Sequence, residues 1–332
     1  MTKQKKILLA IISAFAFMVI AAIFLSGWQQ TVFLRVAIAN GVASILIKIV
    51  ASSLSRTKKL VLQFFTCFFL SLVFGAISTD FDSSQFNGFF LLVVGMGLIN
   101  SGACYCQWRA TDLNVTKTAL FTQGDDILSM ILAYFILNES KVITLSWSLG
   151  IVLVLIAAVL FVTAPIAIPK DTDDKNKALL QEQGRKNNRT IWKWVMGYNL
   201  GWGLTSFMFR VLSLNGLSIF YFLPAWYGSS FIGSLLILFL GSKEEASGKL
   251  TLKGIYPVLL LSLVVFISLG LSYQAFALAE VLKVRPIFQM GQVMIPLLIG
   301  LYVFNEFKDF TRQGKLAMAI GLIGTLTIFA NI

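Results

Sequence analysis

The sequence predicts an all-α, polytopic membrane protein with two inverted five-helix repeats plus one extra N-terminal transmembrane helix, about 11 spans in total. Three observations lead to this prediction: an apolar composition, apolar runs of membrane-spanning length, and a pattern of polar residues that occurs twice. Of the 332 residues, 57% are hydrophobic and 13% are charged, whereas soluble domains are about 45–50% apolar. The mean hydropathy of +0.82 agrees with residence in a lipid bilayer.

The first element is an apolar run at residues 7–25, which follows a basic leader. A membrane-spanning helix needs about 20 residues, whereas the apolar core of a signal peptide has about 7–15. The residues after this run, Ser26, Gly27 and Trp28, lack the small-residue pattern of a cleavage site. We therefore predict an uncleaved anchor helix in residues 1–28, with a cleaved signal peptide as the alternative.

Ten further apolar runs follow, five on each side of a polar segment at residues 165–189. This segment mixes acidic and basic residues, which is typical of an exposed connection. The predicted domains are a first repeat at 29–165, a cytoplasmic linker at 166–191 and a second repeat at 192–332. The predicted spans lie at about 32–54, 60–78, 89–109, 118–137, 143–163, 192–213, 217–240, 255–278, 286–304 and 316–332.

Lys and Arg residues are concentrated in alternate loops, and short loops rich in these residues stay in the cytoplasm. The basic leader, the linker and the loop at 308–315 all fall on the same side. We therefore expect a multi-pass protein of the cell membrane with a cytoplasmic N-terminus. An odd number of spans then places the C-terminus outside. The net charge of +12 thus reflects topology and gives no reason to expect nucleic-acid binding.

The most unusual stretch is the apolar segment 117–139, which carries Asp125 and Asp126 near its middle. An ionised carboxylate at the centre of a bilayer costs at least about 2.5 kcal/mol, so such residues mark functional sites. Drawn as a helix, Thr118, Thr122, Asp125 and Ser129 form one polar stripe, whereas Asp126 is rotated by about 100°. Two carboxylates this close resist ionising together, so one is expected to carry a proton.

A second stripe with the same spacing contains Arg285, Gln289, Gln292 and Pro296. Other residues recur in the same order in both halves of the chain. Because an odd number of spans separates the matching helices, the two repeats must have opposite topologies. Inverted repeats are typical of secondary transporters, whose binding site lies near the midplane. The matched pairs are Lys48 with Arg210, Gln107 with Gln274, Gly124 with Gly291, and Glu139 with Glu306.

In each half, the striped helix ends in Asn-Glu and precedes a glycine-containing terminal helix, TLSWSLGIVLVLIAAVLF or TRQGKLAMAIGLIGTLTIF. These segments resemble the EamA-like paired repeats of the drug/metabolite transporter superfamily, and more loosely its multidrug efflux members, over about residues 29–332. The resemblance implies five plus five helices, alternating access, and a central cavity lined by the first, third and fourth helices of each repeat. The first repeat differs in carrying an Asp pair where this fold often has a proline.

We predict that the residues that bind substrate and protons lie on these cavity helices. Asp125 is expected to face the cavity as a proton or cation site, with a structural pairing to Lys48 or to a neighbouring subunit as the alternative. Lys48 and Arg210 would neutralise the acids or hold an anionic group, although Arg210 could instead extend to the interface. The full predicted set is Asp125, Asp126, Lys48, Gln107, Arg210, Gln274, Gln289 and Gln292.

The other charged and aromatic residues are expected to have structural roles. Cations near the ends of predicted helices would set topology, and Glu139 and Glu306 would be solvated. Tryptophans inside spans would pack, with a cavity wall for an organic cation as the alternative. The cations are Arg35, Arg109, Lys117, Lys283 and Arg285, and the interior tryptophans are Trp108, Trp202 and Trp226.

The function predicted from these patterns is secondary transport of a small organic solute, a drug or metabolite, by proton-coupled efflux as an antiporter. Histidine is absent and no Walker A motif occurs, so an enzyme or an ATP-driven pump is disfavoured. No cofactor or metal is expected. The expected partners are a small-molecule substrate, the lipid bilayer and protons, and a homodimer is left open. The alternative is a membrane protein without transport activity, such as a lipid-handling enzyme or a receptor.

Overall fold

The computed structural model describes residues 25–51, 55–78, 82–139, 144–164, 174–241, 248, 250–306 and 310–329. The fold of these residues is all-α, as predicted, and consists of ten helices. A single short turn of 3₁₀-helix, Ser83–Gln85, precedes the third helix. The helices are α1 (Gly27–Ala51), α2 (Arg56–Ser78), α3 (Gly88–Leu113), α4 (Val115–Ile136), α5 (Leu145–Thr163), α6 (Asp174–Leu214), α7 (Ile219–Leu240), α8 (Leu252–Leu278), α9 (Val281–Val303) and α10 (Arg312–Phe329).

Seven of the described helices, α1 to α4 and α7 to α9, are long and apolar enough to cross a membrane. Their outer faces carry large apolar side chains, among them Ile77, Phe239 and Leu240, which are 81%, 78% and 84% exposed. Apolar exposure on this scale is unfavourable in water, whereas lipid tails accommodate it. The chain is therefore a multi-pass membrane protein.

Among the residues that the structure describes, seven helices qualify as spans, fewer than the predicted eleven. The predicted anchor at 7–25 lies outside the described residues. Helix α5 is 19 residues long, and the apolar stretch found among its described side chains is Ser148–Ala157. The apolar part of α6 contains Lys193, Asn199 and Arg210, and α10 begins with Arg312. These polar residues explain why α6 and α10 are less clearly membrane-spanning than the other helices.

The polar linker predicted at 166–191 is helical over its second part. Helix α6 begins at Asp174 and continues without interruption to Leu214, a length of 41 residues. The segment 174–191 contains several Lys, Arg, Gln and Leu residues, which have high helix propensity. Its described side chains from Glu182 to Arg189 are mostly exposed. The boundary between linker and second half is thus a position within one helix.

The helices before and after α5 pack against each other in corresponding pairs. Helix α1 packs on α8 and α9, and α6 packs correspondingly on α3 and α4. In the same way α2 packs on α8 while α7 packs on α3, and α5 packs on α10. At the centre, α4 packs against α9. Most of the large interfaces therefore join one half of the chain to the other.

The interface between α3 and α7 shows how these halves are held together. The Asn100 side chain donates a hydrogen bond to the Ser230 hydroxyl at 3.0 Å, and Ser230 donates to the Gly97 carbonyl at 2.9 Å. Both side chains are buried. Small and hydroxyl-bearing residues let membrane helices approach closely and satisfy polar groups across the interface. Asn100 also lines the cavity described next.

Candidate functional site

A cavity of about 150 Å³ lies between the two halves of the helix bundle. Its walls come from α1, α3 and α4 of the first half, from α6, α8 and α9 of the second half, and from α2 and α7. Because a cavity of about 150 Å³ can hold benzene, this one suits an organic group of that size.

Aromatic rings form one wall of the cavity. Trp108, Trp202, Trp226 and Tyr198 all line it. The rings of Trp202 and Trp226 meet edge to face with centroids 6.0 Å apart, and Tyr198 stacks on Trp202 at 6.5 Å. Such geometries are favourable and hold the rings in fixed orientations. The interior tryptophans therefore pack as expected and also line the cavity, which was the alternative.

A guanidinium group lies at the same cavity. Arg35 of α1 is 6% exposed and lines the cavity, with its guanidinium carbon 4.1 Å from the centre of the Phe288 ring. Its Nε and Nη1 atoms have no hydrogen-bond partner among the described residues. Two other buried polar atoms at the cavity also lack partners there, Asn40 Nδ2 and Gln63 Oε1. The site thus contains polar groups that the described fold does not satisfy.

The acidic pair lies at a discontinuity in α4. This helix consists of two segments, Val115–Phe121 and Gln123–Ile136, joined at Thr122. The Asn199 side chain of α6 donates to the Phe121 carbonyl at 2.8 Å and so satisfies a backbone group at the joint. Asp125 and Asp126 occupy the first turn of the second segment. A helix N-terminus favours negative charge, which lowers the cost of placing two acids there.

Asp126 forms a buried ion pair with Arg285 of α9. The Asp126 carboxylate accepts a hydrogen bond from Arg285 Nη1. Asp126 is 0% exposed and Arg285 is 1% exposed. The Arg285 guanidinium also lies 5.0 Å from the centre of the Phe276 ring. Arg285 is therefore a partner of the acidic pair, and the expectation that it sets topology at a helix end is wrong.

Asp125 faces a different neighbour, as the rotation between adjacent helical residues requires. Its Oδ1 atom accepts a hydrogen bond from Gln292 Nε2 at 3.3 Å, and its Oδ2 atom has no partner among the described residues. Asp125 itself does not line the cavity, but Gln292 does. A single side chain therefore separates the Asp125 carboxylate from the cavity.

The charged groups around the acidic pair balance each other. Arg35 and Arg285 are the two cations that act electrostatically on both Asp125 and Asp126, and the Tyr198 hydroxyl lies in the same field. With all four charged groups ionised, this cluster is neutral. A proton on Asp125 leaves it with one positive charge in excess.

Two further charged clusters lie at the ends of helices. The first joins the end of α9 to the start of α4. Glu306, at the end of α9, accepts hydrogen bonds from the Val115 and Thr116 amides at 2.9 and 2.8 Å and so caps the first turn of α4. Lys48 of α1 lies 3.8 Å from the same carboxylate. Lys48 also donates to the Asp112 carbonyl at the end of α3 at 2.9 Å.

The second of these two clusters joins the end of α4 to the start of α9. Glu139 accepts a hydrogen bond from the Leu282 amide and pairs with Arg210 of α6, both at 3.4 Å. Arg210 also donates to the Phe276 carbonyl near the end of α8 at 2.7 Å. Burial raises the pKa of Glu139 above its ordinary value, although the Leu282 amide and Arg210 oppose this shift. Neither glutamate is the solvated loop residue that the sequence suggested.

The predicted site residues are distributed over four environments. Gln107 and Gln292 line the cavity, together with the stripe residues Thr118, Thr122 and Pro296. Asp125, Asp126 and Gln289 lie in the buried α4–α9 interface, where Gln289 donates to Gln123 Oε1 at 3.1 Å. Lys48 and Arg210 form the end clusters, so the alternative pairing of Lys48 with Asp125 is wrong. Gln274 is exposed and lies away from the cavity.

Sequence reasoning missed Arg35 as a cavity residue. The first predicted span of the first repeat began at residue 32, which placed Arg35 near the end of a helix, but α1 begins at Gly27. At 1.5 Å per residue, the rise over the eight positions from Gly27 to Arg35 is about 12 Å of helix. A cation inside an apolar run was the available signal. The segment after it, Val36–Ala43, forms π-helical turns, which occur often at functional sites.

The fold and the cavity define a polytopic all-α membrane protein with an interior polar and aromatic site. Within the described ranges, no cluster of three or more His, Cys, Asp or Glu side chains could hold a metal ion. No protein-family model matches the sequence, and no curated protein matches it.

A known structure is similar in fold. The alignment with one crystal structure of a protein covers 91% of this chain and 97% of the chain in that structure. The TM-score is 0.60 and the sequence identity is 13%. At this identity the similarity concerns the fold alone, because function depends on the site that a fold carries. The residues of this chain must therefore carry the functional inference.

Proposed function

We propose that this protein is a secondary transporter that moves a small organic solute, a drug or metabolite, across the cell membrane by alternating access and couples this movement to protons. The observation that carries the proposal is the buried acidic pair, which one glutamine separates from a polar and aromatic cavity. Ionisable residues inside membrane proteins are rare and mark substrate paths and proton relays. A cavity of benzene size between two half-chains supplies the place for a solute.

The proposal includes two inverted repeats and the resemblance to the drug/metabolite transporter superfamily. The contacts between α4 and α9 support it, because each helix ends where the other begins. Glu306 caps the start of α4, and Glu139 contacts the start of α9. The two helices therefore run in opposite directions, as equivalent helices of inverted repeats would.

Local backbone features support the same proposal. Asn138 and Asn305, which precede the two glutamates, both have a positive φ, of 55° and 57°. A Cβ atom on Gly124 would lie 2.3 Å from Asn199 Nδ2, and one on Gly291 would lie 2.4 Å from Val36 Cγ1. Each glycine therefore allows close contact with the first helix of the opposite half. These residues are the pairs that the sequence pattern matched.

In the proposed mechanism, Asp125 is the group that gains and loses the coupling proton. Gln292 donates a hydrogen bond to Asp125 and lines the cavity. A solute that forms a hydrogen bond with Gln292 would therefore change the surroundings of the Asp125 carboxylate. Asp126 is held by Arg285, which keeps its charge balanced throughout. The groups that face Asp125 are thus Gln292, Arg35, Arg285, Asp126 and Tyr198. The proposed protein has eleven spans and a cytoplasmic N-terminus, and the proton that it couples to solute movement binds Asp125.

The experiment is a flux measurement in proteoliposomes with an imposed pH gradient and a pH-sensitive dye inside. A panel of small organic cations, anions and zwitterions is added in turn, and solute-dependent proton movement is recorded. We expect such movement with the wild-type protein and its loss in Asp125→Asn, which keeps size and hydrogen bonding but cannot titrate. Ser129→Ala, one turn further along α4, is the matched control and should retain it.

Two results would contradict the proposal. Folded wild-type protein that moves no solute of the panel, with or without protons, would exclude secondary transport of these classes. Gradient-driven flux at the wild-type rate in well-folded Asp125→Asn would eliminate Asp125 as the coupling residue. Thermal unfolding and monodispersity of each purified variant separate these outcomes from misfolding.

A further inference from the structure

The cavity contains a cation whose hydrogen-bonding groups the described fold leaves unused. Arg35 is 6% exposed and lines the cavity, and its Nε and Nη1 atoms have no hydrogen-bond partner among the described residues. Arg35 belongs to none of the ion pairs within the described ranges. An arginine retains its charge even when it is buried. Two unused guanidinium donors at an interior cavity are therefore an incomplete binding site.

We infer that the cavity binds an organic anion, whose carboxylate or similar acidic group bonds Arg35 while its apolar part occupies the aromatic wall. Arg35 presents planar donors that match the geometry of a carboxylate. Asn40 Nδ2, a second buried donor without a partner in the described part of the chain, lies at the same cavity. This inference rests on the proposed function, because it names the class of solute for that site.

The neighbouring carboxylates do not already serve Arg35 in this way. The Asp126 carboxylate accepts its hydrogen bond from Arg285. The Asp125 carboxylate accepts its hydrogen bond from Gln292. The guanidinium carbon of Arg35 lies over the Phe288 ring, 4.1 Å from its centre, and this contact uses none of the N–H donors that lack partners in the described part of the chain. A cationic solute would instead meet a positive charge at the cavity wall, with the two acids behind Gln292 and Arg285.

The size and composition of the remaining wall determine what the rest of the anion should be. Trp108, Trp202 and Trp226 line the cavity, and a volume of about 150 Å³ holds one benzene-sized ring. A small aromatic or branched apolar group therefore fits, whereas a large drug-like molecule does not. Benzoate combines such a ring with one carboxylate and serves as the probe.

The test compares three probes of the same size that differ in charge: benzoate, benzamide and benzylamine. Binding to the purified full-length protein in detergent is measured by titration calorimetry and by the shift in thermal unfolding. Because hydrogen bonds to a charged group are markedly stronger than neutral ones, we expect benzoate to bind at least about tenfold more tightly than benzamide. Benzylamine should bind more weakly than both.

Variants then assign the preference to Arg35. In Arg35→Gln, which keeps hydrogen-bond donors but removes the charge, benzoate should bind no more tightly than benzamide. Arg35→Lys should retain part of the preference, and it also tests the site if Arg35→Gln does not fold. Arg109→Gln is the matched control, because Arg109 is an α3 arginine that does not line the cavity and instead contacts Trp194. This control should leave all three affinities unchanged.

The inference is overturned if benzylamine binds as tightly as benzoate, if no probe binds, or if folded Arg35→Gln keeps the preference for benzoate. Because binding is measured without a gradient, these outcomes are independent of the flux assay. A protein that transports cations and ignores benzoate would contradict this inference alone. A protein that binds benzoate through Arg35 and moves no solute would contradict the transport proposal alone.

Discussion

At the scale of single residues, the protein concentrates charge where a membrane protein can least tolerate it. Asp125, Asp126 and Arg285 are each no more than 1% exposed, and Arg35 is 6% exposed. Charges in such surroundings persist only when other charges and hydrogen bonds compensate them. The four groups compensate each other unequally, because only Asp126 and Arg285 form a direct ion pair among them.

Breaking this direct pair should destabilise the protein strongly. Arg285→Gln leaves the Asp126 carboxylate buried without its cation, and such changes cost about 3–5 kcal/mol. The double variant Arg285→Gln with Asp126→Asn removes both charges and should recover much of this loss. Thermal unfolding followed by tryptophan fluorescence measures both effects. Lys283→Gln is the control, because the Lys283 side chain is 55% exposed and its pair with Glu280 should contribute little.

An equal loss of stability in the single and double variants would contradict the pairing. It would mean that the two side chains contribute by packing and that their charges do not interact. A double-mutant cycle gives the interaction free energy directly.

The charge balance also predicts how the affinity for benzoate depends on pH. With Asp125 ionised the cluster is neutral, and with Asp125 protonated it has one positive charge in excess, so affinity should fall as pH rises. The change should be on the order of tenfold, as for an interaction of about 1.4 kcal/mol. Asp125→Asn fixes the excess charge, so this variant should bind benzoate at high pH as tightly as wild type does at low pH. Calorimetric titrations across the pH range measure both proteins.

This prediction distinguishes two kinds of coupling. A solute that competes with the proton, as in the exchange expected from sequence, would bind more weakly at low pH. An anion that binds together with the proton would instead be carried with it in the same direction. Tighter benzoate binding at high pH would therefore contradict the charge balance described here.

At the scale of helices, glutamates at the ends of α4 and α9 connect the two halves. The Glu306 carboxylate accepts hydrogen bonds from two backbone amides of α4. It is therefore a side-chain cap that another part of the chain supplies. Capping interactions of this kind contribute about 0.5–2 kcal/mol, and the negative charge adds a favourable interaction with the helix dipole. Glu139 and Arg210 make the equivalent connection at the start of α9.

Neutralising these glutamates should impair transport more than it impairs folding. Glu306→Gln retains one oxygen acceptor but loses the charge that faces Lys48 and the start of α4, so we expect a loss of stability of about 1 kcal/mol. Flux should fall by more than this loss of stability explains, because the relative position of α4 and α9 determines the shape of the cavity. Glu280→Gln is the control, because Glu280 is exposed and its ion-pair partner among the described residues is the nearby, exposed Lys283. Unchanged flux in Glu306→Gln would show that the cap is structural only.

Sequence patterns were sufficient for much of this element-level arrangement and insufficient for its contacts. The sequence pattern matched Lys48 with Arg210 and Glu139 with Glu306, because spacing along a helix is readable from sequence, but it did not predict that the cations contact the glutamates. Their partners were not readable: Lys48 meets the glutamate of the opposite half and not Asp125. Long-range pairing depends on how the helices pack, which the periodicity of one helix does not specify.

The same limit explains the errors about arginine. Arg35 and Arg285 were placed near helix ends because hydropathy marks where apolar runs begin, whereas α1 and α9 begin several residues earlier. Capping and tertiary contacts determine where a helix begins, and hydropathy does not report them. A charged residue at the edge of an apolar run can therefore be a core residue. Gln274 shows the converse, because an expected site residue lies on the exposed face of α8.

At the scale of the whole molecule, the proposed inverted topology makes a prediction about the linker at 166–191 and about the C-terminus. Cysteine labelling or reporter fusions should place residues 166–191 in the cytoplasm and the C-terminus outside. Basic residues in the linker and in the loop at 308–315 supply the bias. A cytoplasmic C-terminus would contradict the count of eleven spans and would mean that one apolar run, most simply 7–25, does not cross the membrane.

The exchange of caps between α4 and α9 also bears on how the chain unfolds. The first turn of α4 is completed by a residue 190 positions later in sequence, and the start of α9 by one 143 positions earlier. Neither half therefore contains everything that its own central helix requires. The two halves should lose their structure in a single cooperative transition, and a fragment that ends within the linker should be a substrate for membrane proteolysis until its complementary fragment is present.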